Sequence, residues 1–220
     1  MNLGVLFDMD GVLVDSYQAH FESWRALARQ HGMDMTEEEF ASVFGRTSRE
    51  IILHFWPNHT MSANEVAQWD EYKESAYREI LARDFPSMDG ANELLASLHA
   101  AGFKLAIGSS GPPENVAAVR KYLTSGDLFD AQVTCVDVTH GKPHPEVFIK
   151  AAAKLNLPPR NCVVVEDAPA GVAAGKAAGA AVIAITGTAT REKLAAADTV
   201  VDSLREITPD LVRKLVQSAV

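Results

Sequence analysis

The sequence predicts an α/β protein with a parallel sheet and with an all-helical segment inserted after the first strand. From about residue 86 onward, short apolar runs alternate with helical patterns, which is typical of β-α units in a parallel sheet. Between residues 16 and 86 the patterns are helical alone. We therefore expect a discontinuous core domain, residues 1–15 and 87–220, and a helical domain, residues 16–86.

The first predicted strand, residues 3–7, is short and wholly apolar apart from one glycine, as in a strand buried on both faces of a sheet. Asp8 and Asp10 follow it, and Gly11 allows a sharp turn. Ligands of open parallel sheets bind beyond the carboxyl ends of the strands. The two acids therefore lie where this fold class places its chemistry, although solvated acids at a turn are the simpler alternative.

The helical segment shows apolar residues three or four positions apart, the spacing of a buried helix face. Thr36 and Glu39 have the spacing of a capping box at a helix start. Gly32 and Pro57 are typical helix stops. The predicted helices cover residues 17–31, 36–44, 48–57 and 62–83.

The second part of the chain alternates strands and helices. Gly102 is a natural stop for the helix before it, and Pro112 and Pro113 suit the first turn of the helix after them. The predicted strands cover residues 103–107, 131–136, 162–165 and 181–185, with a short further strand at 199–201. Helices are predicted at 91–101, 113–123, after Pro143 to about Asn156, at 168–179, and from Thr208 onward.

Composition excludes several classes of function. The chain has 220 residues, of which 47% are apolar and 22% charged, which supports a packed core rather than disorder. Its net charge of −9, with no run of Lys or Arg, disfavours nucleic acid and membrane as partners. No targeting or membrane-spanning segment is visible. Cys135 and Cys162 lie in apolar stretches, so we expect buried free thiols and a cytoplasmic location.

Polar side chains follow the predicted strands at the edge where their carboxyl ends meet. They are Asp8, Asp10, Ser109, Lys142, Glu166 and Asp167. Converging carboxylates repel one another unless a cation lies among them, and oxygen-only ligands favour Mg²⁺. A lysine, a serine hydroxyl and N–H groups at a helix start suit a phosphoryl group. Each feature alone has an ordinary structural explanation, but their joint occurrence at successive strand ends favours a phosphoryl-transfer site.

These residues carry a resemblance to the haloacid dehalogenase superfamily, in its subfamily with a helical C1 cap. The matching motifs are Asp8-Met9-Asp10-Gly11, Ser109 after Leu105-Ala106-Ile107-Gly108, Lys142 in Gly141-Lys142-Pro143-His144-Pro145, and Glu166-Asp167 before Ala168-Pro169-Ala170-Gly171. The resemblance covers essentially the whole chain. It implies a Rossmann-like three-layer core with strand order 5-4-1-2-3 and a monomer.

The resemblance also implies a role for each motif. Asp8 would be the nucleophile, and Asp10 the general acid and base. Ser109, Ser110 and Lys142 would bind the phosphoryl group. Mg²⁺ would be bound by Asp8, by Asp10 through its carbonyl, and by Glu166 and Asp167. The second acid, Asp10, favours phosphoryl chemistry, since the dehalogenase branch lacks it.

The helical segment resembles the caps of β-phosphoglucomutases and of related sugar-phosphate phosphatases. The resemblance implies that substrate is contacted by His20, Gly45, Arg46, Arg49 and Lys73. The alternative is that long charged side chains on helices simply lie at the surface. The stretch after Ser109 and the Arg46-Thr47 pair depart from the mutases and are more typical of phosphatases.

We therefore expect a Mg²⁺-dependent phosphatase that hydrolyses a small phosphorylated metabolite, a sugar phosphate, through an aspartyl-phosphate intermediate. A phosphomutase of the β-phosphoglucomutase type is the first alternative. A phospho-accepting signalling or binding module is the second, and the long helical insertion and the Asp8-Asp10 pair disfavour it.

Overall fold

The computed structural model describes residues 2–44, 48–57 and 61–218. The chain divides into two compact units: a core unit, Met1–Asp15 with Pro86–Val220, and a helical unit, Ser16–Phe85. Pro86 belongs to the core unit rather than to the helical domain, where we expected it. The reason is local, because the carbonyl group of Pro86 accepts a hydrogen bond from the N–H group of Asp15 at 2.8 Å.

The core unit is built on a parallel sheet. Its strands are β1 (Gly4–Phe7), β2 (Lys104–Gly108), β3 (Ala131–Val133), β4 (Cys162–Glu166), β5 (Ala181–Ile185) and β6 (Thr199–Val201). The strands lie in the order β3-β2-β1-β4-β5-β6, and each neighbouring pair is parallel. The α/β class and the predicted order 5-4-1-2-3 are confirmed, and β6 extends the sheet beside β5.

The helical unit has its own apolar core. Its helices are α1 (Tyr17–Gln30), α2 (Glu37–Val43), α3 (Ser48–Phe55) and α4 (Ala63–Arg83). The predicted capping box of Thr36 and Glu39 is confirmed, and Ser62 and Glu65 form a second one. Aromatic and aliphatic side chains fill the interior of this unit, among them Phe21, Trp24, Leu27, Phe40 and Ile52.

Helices of the core unit alternate with its strands. They are α5 (Ala91–Ala100), α6 (Pro113–Tyr122), α7 (Glu146–Lys154), α8 (Pro169–Ala178) and α9 (Pro209–Ser218). The central strand β1 is fully buried, as its apolar sequence predicts. Phe7 lies opposite Ile107 of β2 and Val165 of β4, so the polar residues after these three strands emerge side by side.

The strand β3 ends earlier than predicted, and Cys135 is exposed rather than buried. The Asp137 carboxylate accepts two hydrogen bonds from Thr134, one from its backbone N–H group at 2.8 Å and one from its side-chain hydroxyl at 3.0 Å. These bonds turn the chain into a short 3₁₀ segment. Cys162 is buried in β4, and burial raises the pKa of its thiol to about 12. Among residues 2–44, 48–57 and 61–218, no helix combines the length and apolar character that a membrane crossing requires.

Candidate active site

The backbone around β1 places two acids at the centre of the sheet edge. The N–H group of Asp8 donates to the carbonyl of Val165 at 2.9 Å, so pairing with β4 continues one residue past the strand. The Met9 carbonyl then accepts the N–H group of Leu13 at 2.8 Å, and Gly11 has a φ of +73°. This φ favours glycine. The resulting tight turn carries Asp10.

Lys142 lies between two buried carboxylates. Its Nζ atom is 2.5 Å from Oδ1 of Asp8 and 2.7 Å from Oε1 of Glu166. The same ammonium group lies 4.9 Å from the ring centroid of Phe148, on the face of α7 that packs against the sheet. The structure therefore brings together three predicted site residues from three separate motifs.

The position of Glu166 is set by the start of α8. Its Oε2 atom accepts the backbone N–H groups of Asp167 at 2.9 Å and Ala168 at 3.0 Å. A side chain at Gly171 would collide with it, because a Cβ atom there would lie 1.6 Å from Oε1 of Glu166. Both oxygens of Glu166 thus already accept hydrogen bonds from the protein.

Asp167 lies beside a residue that the sequence analysis missed. The hydroxyl group of Thr188, in the loop after β5, forms a hydrogen bond with the Asp167 carboxylate. A Cβ atom at Gly11 would lie 1.9 Å from Oδ2 of Asp167 and 2.9 Å from Oγ1 of Thr188, so Gly11 fits closely against both. The only indication in the sequence is a polar residue after a strand, which is a common pattern.

The charges of this cluster are not balanced. Burial raises the pKa of Asp8, Lys142 lowers it, and the carboxylates of Glu166 and Asp10 raise it again, with a net increase. Burial raises the pKa of Asp167 most, and the negative charges of Asp8 and Glu166 raise it further. Burial lowers the pKa of Lys142, but its two carboxylate partners together raise it by more than burial lowers it. The net pKa is raised, so the ammonium form prevails. One ammonium group therefore faces several carboxylates.

The residues present can hold a divalent metal ion. Asp8, Glu166 and Asp167 each offer a carboxylate oxygen, and these oxygens lie within 4.8 Å of one another. An oxygen-only ligand set suits a hard cation. The pKa values of Asp8 and Asp167 are raised because the cluster holds more carboxylates than positive charges, and a bound cation would supply the missing positive charge.

The loop after β2 carries Ser109 and Ser110. The side chain of Ser109 is buried, and its Oγ atom accepts the N–H group of Gly111 at 3.0 Å, whereas Ser110 is exposed. A Cβ atom at Gly111 would lie 3.7 Å from Cε of Met9. The loops after β1 and β2 are therefore neighbours, and the Ser109 motif adjoins the Asp8 motif.

Within the helical unit, the structure brings His20 and Lys73 together. Nζ of Lys73 lies 3.0 Å from Nδ1 of His20 and 2.7 Å from Oε1 of Glu74, and both Lys73 and Glu74 are buried. An ammonium group only donates, so Nδ1 of His20 accepts. The His20 ring stacks on the Tyr77 ring, with the ring centroids 4.2 Å apart. The sequence analysis did not name Glu74 and Tyr77 as site residues. The four-residue spacing of Lys73 and Tyr77 nevertheless places Tyr77 on the same helix face as Lys73.

The remaining predicted residues of the helical unit are Arg49, Gly45 and Arg46. Arg49 lies in the first turn of α3 and is exposed. Gly45 and Arg46 fall outside the described residues.

Comparison with known proteins gives consistent matches. Residues 3–179 match the family described as haloacid dehalogenase-like hydrolase. The chain is 37% identical to hexitol phosphatase A of Escherichia coli strain K12, over 93% of each chain. It is 30% identical to β-phosphoglucomutase of Bacillus subtilis strain 168, over 96% of this chain and 93% of the other. A family IA, variant 3 hydrolase structure from Entamoeba histolytica superposes with a TM-score of 0.88 at 28% identity, covering 99% of this chain and 100% of the other.

Proposed function

This chain belongs to the haloacid dehalogenase-like hydrolases, and from that membership we propose a Mg²⁺-dependent phosphatase that hydrolyses a sugar phosphate or a similar small metabolite. The observation that carries the proposal is the buried Asp8 carboxylate, bound to Lys142 at 2.5 Å and adjoined by the Glu166 and Asp167 carboxylates. The similarity to hexitol phosphatase A supports the substrate class.

The proposed reaction has two steps. A carboxylate oxygen of Asp8 attacks phosphorus, the bond from phosphorus to the substrate oxygen breaks, and Asp10 gives its proton to that oxygen. Asp10 then accepts a proton from water as the water oxygen attacks phosphorus, and the bond to Asp8 breaks. Inorganic phosphate leaves, and both carboxyl groups return to their starting states.

The surrounding residues stabilise the transferred group. Lys142 and the Ser109 hydroxyl would bind phosphoryl oxygens, with the exposed Ser110 beside them. Asp8, Asp167, Glu166 and the carbonyl of Asp10 would hold Mg²⁺. When bound, the ion neutralises charge on the phosphoryl oxygens. Since Glu166 already binds Lys142 and two N–H groups, its main contribution is to orient that lysine.

The proposal assigns substrate contacts to the helical unit as well. His20, Arg49 and Lys73, with the Gly45-Arg46 segment, would bind the part of the substrate remote from the transferred phosphate. The 3.0 Å contact between Lys73 and His20 supports this role, because it brings together two of the side chains assigned to the substrate. Lys73→Met should then raise KM for the substrate more than it affects turnover of p-nitrophenyl phosphate.

The main test replaces Asp8 with Asn. Asp8→Asn should abolish phosphate release from p-nitrophenyl phosphate and from a panel of sugar phosphates, while the matched variant Asp15→Asn, at an exposed position nearby, should retain it. Acid-quenched wild-type protein should carry one phosphoryl group on the peptide that contains Asp8. Full activity of Asp8→Asn would refute the mechanism. A phosphorylated state that lasts minutes without turnover would instead indicate a signalling module.

A phosphomutase is the second candidate, supported by the similarity to β-phosphoglucomutase. In that reaction a sugar hydroxyl, rather than water, accepts the phosphoryl group from Asp8. Supplying β-glucose 1-phosphate with a bisphosphate primer separates the two activities. Glucose 6-phosphate as the product would identify a mutase, and inorganic phosphate would identify a phosphatase.

A further inference from the structure

A second cluster of metal-ligating side chains lies outside the acidic site. His140, His144 and Glu146 offer ligand atoms that lie within 4.8 Å of one another. His140 and His144 lie between β3 and α7, on either side of Lys142, and Glu146 is the first residue of α7. Both histidines are exposed, and Glu146 is half-buried. None of the three takes part in the proposed phosphoryl transfer.

From this geometry we propose that His140, His144 and Glu146 form a binding site for a borderline transition-metal cation such as Zn²⁺. Two imidazoles and one carboxylate are the ligand set of open zinc sites, in which water completes the coordination. The acidic cluster, by contrast, has oxygen ligands alone and suits Mg²⁺. The two sites therefore select different cations, and the inference does not depend on the proposed phosphatase activity.

The distances fit a single small ion. Nδ1 of His140 lies 3.4 Å from Oε2 of Glu146, and the His140 and His144 ring centroids are 4.6 Å apart. Two ligands of a tetrahedral Zn²⁺ ion are separated by about 3.3 Å, given metal–ligand bonds of about 2.0 Å. The exposed imidazoles can make the remaining adjustment by rotating about their side-chain bonds, at little cost to packing.

Glu146 is held in position before any cation binds. Its Oε2 atom accepts the backbone N–H groups of Thr139 and His140, each at 3.0 Å. Oε1 binds Lys150 at 2.5 Å. Each carboxylate oxygen has about two acceptor sites, so both sites of Oε2 are taken and the site that remains for a cation is on Oε1, beside Lys150. Hydrogen bonding by Lys150 and the two N–H groups lowers the pKa of Glu146 to about 2, despite a smaller opposing effect of burial, so the ionised ligand is available at neutral pH.

The site also has a structural consequence for Lys142. The N–H group of His144 donates to the carbonyl of Gly141 at 3.0 Å, which closes the turn that contains Lys142. A cation bound on both sides of that turn would tie its two ends together. We expect Zn²⁺ to slow amide hydrogen exchange across residues 139–146, because opening of the segment would require loss of a ligand.

The test is a calorimetric titration of the whole protein with Zn²⁺, in buffer with saturating Mg²⁺ to occupy the acidic site. The wild type should bind one Zn²⁺ ion that His140→Ala and His144→Ala each weaken by about tenfold or more. His99→Ala, at an exposed position on α5, is the matched control and should bind as the wild type does. Unchanged affinity in either His140→Ala or His144→Ala, with a normal melting temperature, would overturn the site.

Lys150→Met tests the carboxylate ligand separately. Lys150 is 44% exposed and competes with a cation for Glu146, so its removal should tighten Zn²⁺ binding. Unchanged or weaker binding in Lys150→Met would overturn the three-ligand site. The nitrogen ligands have an independent readout, since Cu²⁺ bound to the wild type should show nitrogen hyperfine structure in its paramagnetic resonance spectrum, and absence of that structure would also overturn the proposal.

Discussion

The Nζ atom of Lys142 lies 2.5 Å from Oδ1 of Asp8, although 134 residues separate them in the chain. The same ammonium group also binds Glu166, so one positive charge serves two buried carboxylates. Asp167 adds a third carboxylate within 4.8 Å. The stability of this part of the core unit should therefore depend on Lys142, on pH and on added cations.

Replacing Lys142 with Met should lower the free energy of unfolding by about 3 kcal/mol at neutral pH, because removal of one partner leaves buried carboxylates unpaired. The loss should be smaller at low pH, because the pKa of Asp8 is raised and its carboxylate takes up a proton there. Urea unfolding at two pH values measures both effects. Lys150→Met, at a more exposed lysine of α7, is the control and should change stability much less. Equal losses in the two variants would contradict the assigned role of Lys142.

Mg²⁺ should raise the melting temperature more at about pH 8 than at about pH 5. The pKa values of Asp8 and Asp167 lie above the ordinary value of 3.8. When a carboxyl group has a higher pKa in the folded than in the unfolded protein, its protonated form stabilises the fold. That stability is complete at pH values below the unfolded-state pKa and is lost as pH rises through the folded-state pKa. Mg²⁺ should offset that loss where both groups are ionised. Scanning fluorimetry measures the shift, Asp167→Asn should reduce it, and an equal shift at both pH values would disagree with this account.

Gly171→Ala should lower activity by displacing Glu166. A Cβ atom at this position would lie 1.6 Å from Oε1 of Glu166, the oxygen that binds Lys142, so the carboxylate must move. Such overpacking costs about 1–3 kcal/mol. Steady-state kinetics and thermal unfolding should both show the effect. Gly141→Ala is the matched control, since a Cβ atom there has open space. Normal activity in Gly171→Ala would show that the position of Glu166 is not critical.

Thr188→Val should weaken Mg²⁺ binding, whereas Thr188→Ser should preserve it. The Thr188 hydroxyl forms a hydrogen bond with Asp167, and valine keeps the shape of the side chain but removes that bond. A hydrogen bond to a charged group contributes about 1.5–3 kcal/mol, enough to change the Mg²⁺ dependence of activity by tenfold or more. Titration of activity against Mg²⁺ provides the measurement. The same weakening in both variants would point to packing rather than to the hydroxyl group.

The predicted class and the capping box of Thr36 and Glu39 depended on local information, whereas the strand order was implied by the resemblance to a known family. Apolar runs such as residues 3–7 can satisfy their backbone groups only in a covered sheet, and Thr36 with Glu39 is a pattern read within four residues. The end of β3 was misplaced because the Asp137 side chain competes for the Thr134 backbone N–H. That competition depends on which conformation the chain adopts, so residue type alone does not settle it. The exposure of Cys135 follows from the same turn.

The sequence by itself determined which chemical groups are present at the strand ends, because strand position and motif spacing are properties of the chain. Only the tertiary structure decided their pairing. Lys142 binds both Asp8 and Glu166, Thr188 reaches Asp167, and Lys73 lies 3.0 Å from His20 on another helix. Such contacts depend on strand register, loop conformation and rotamers over separations of tens of residues. For that reason the convergence of these acids on a metal site could be predicted, whereas the individual pairs that form within it could not.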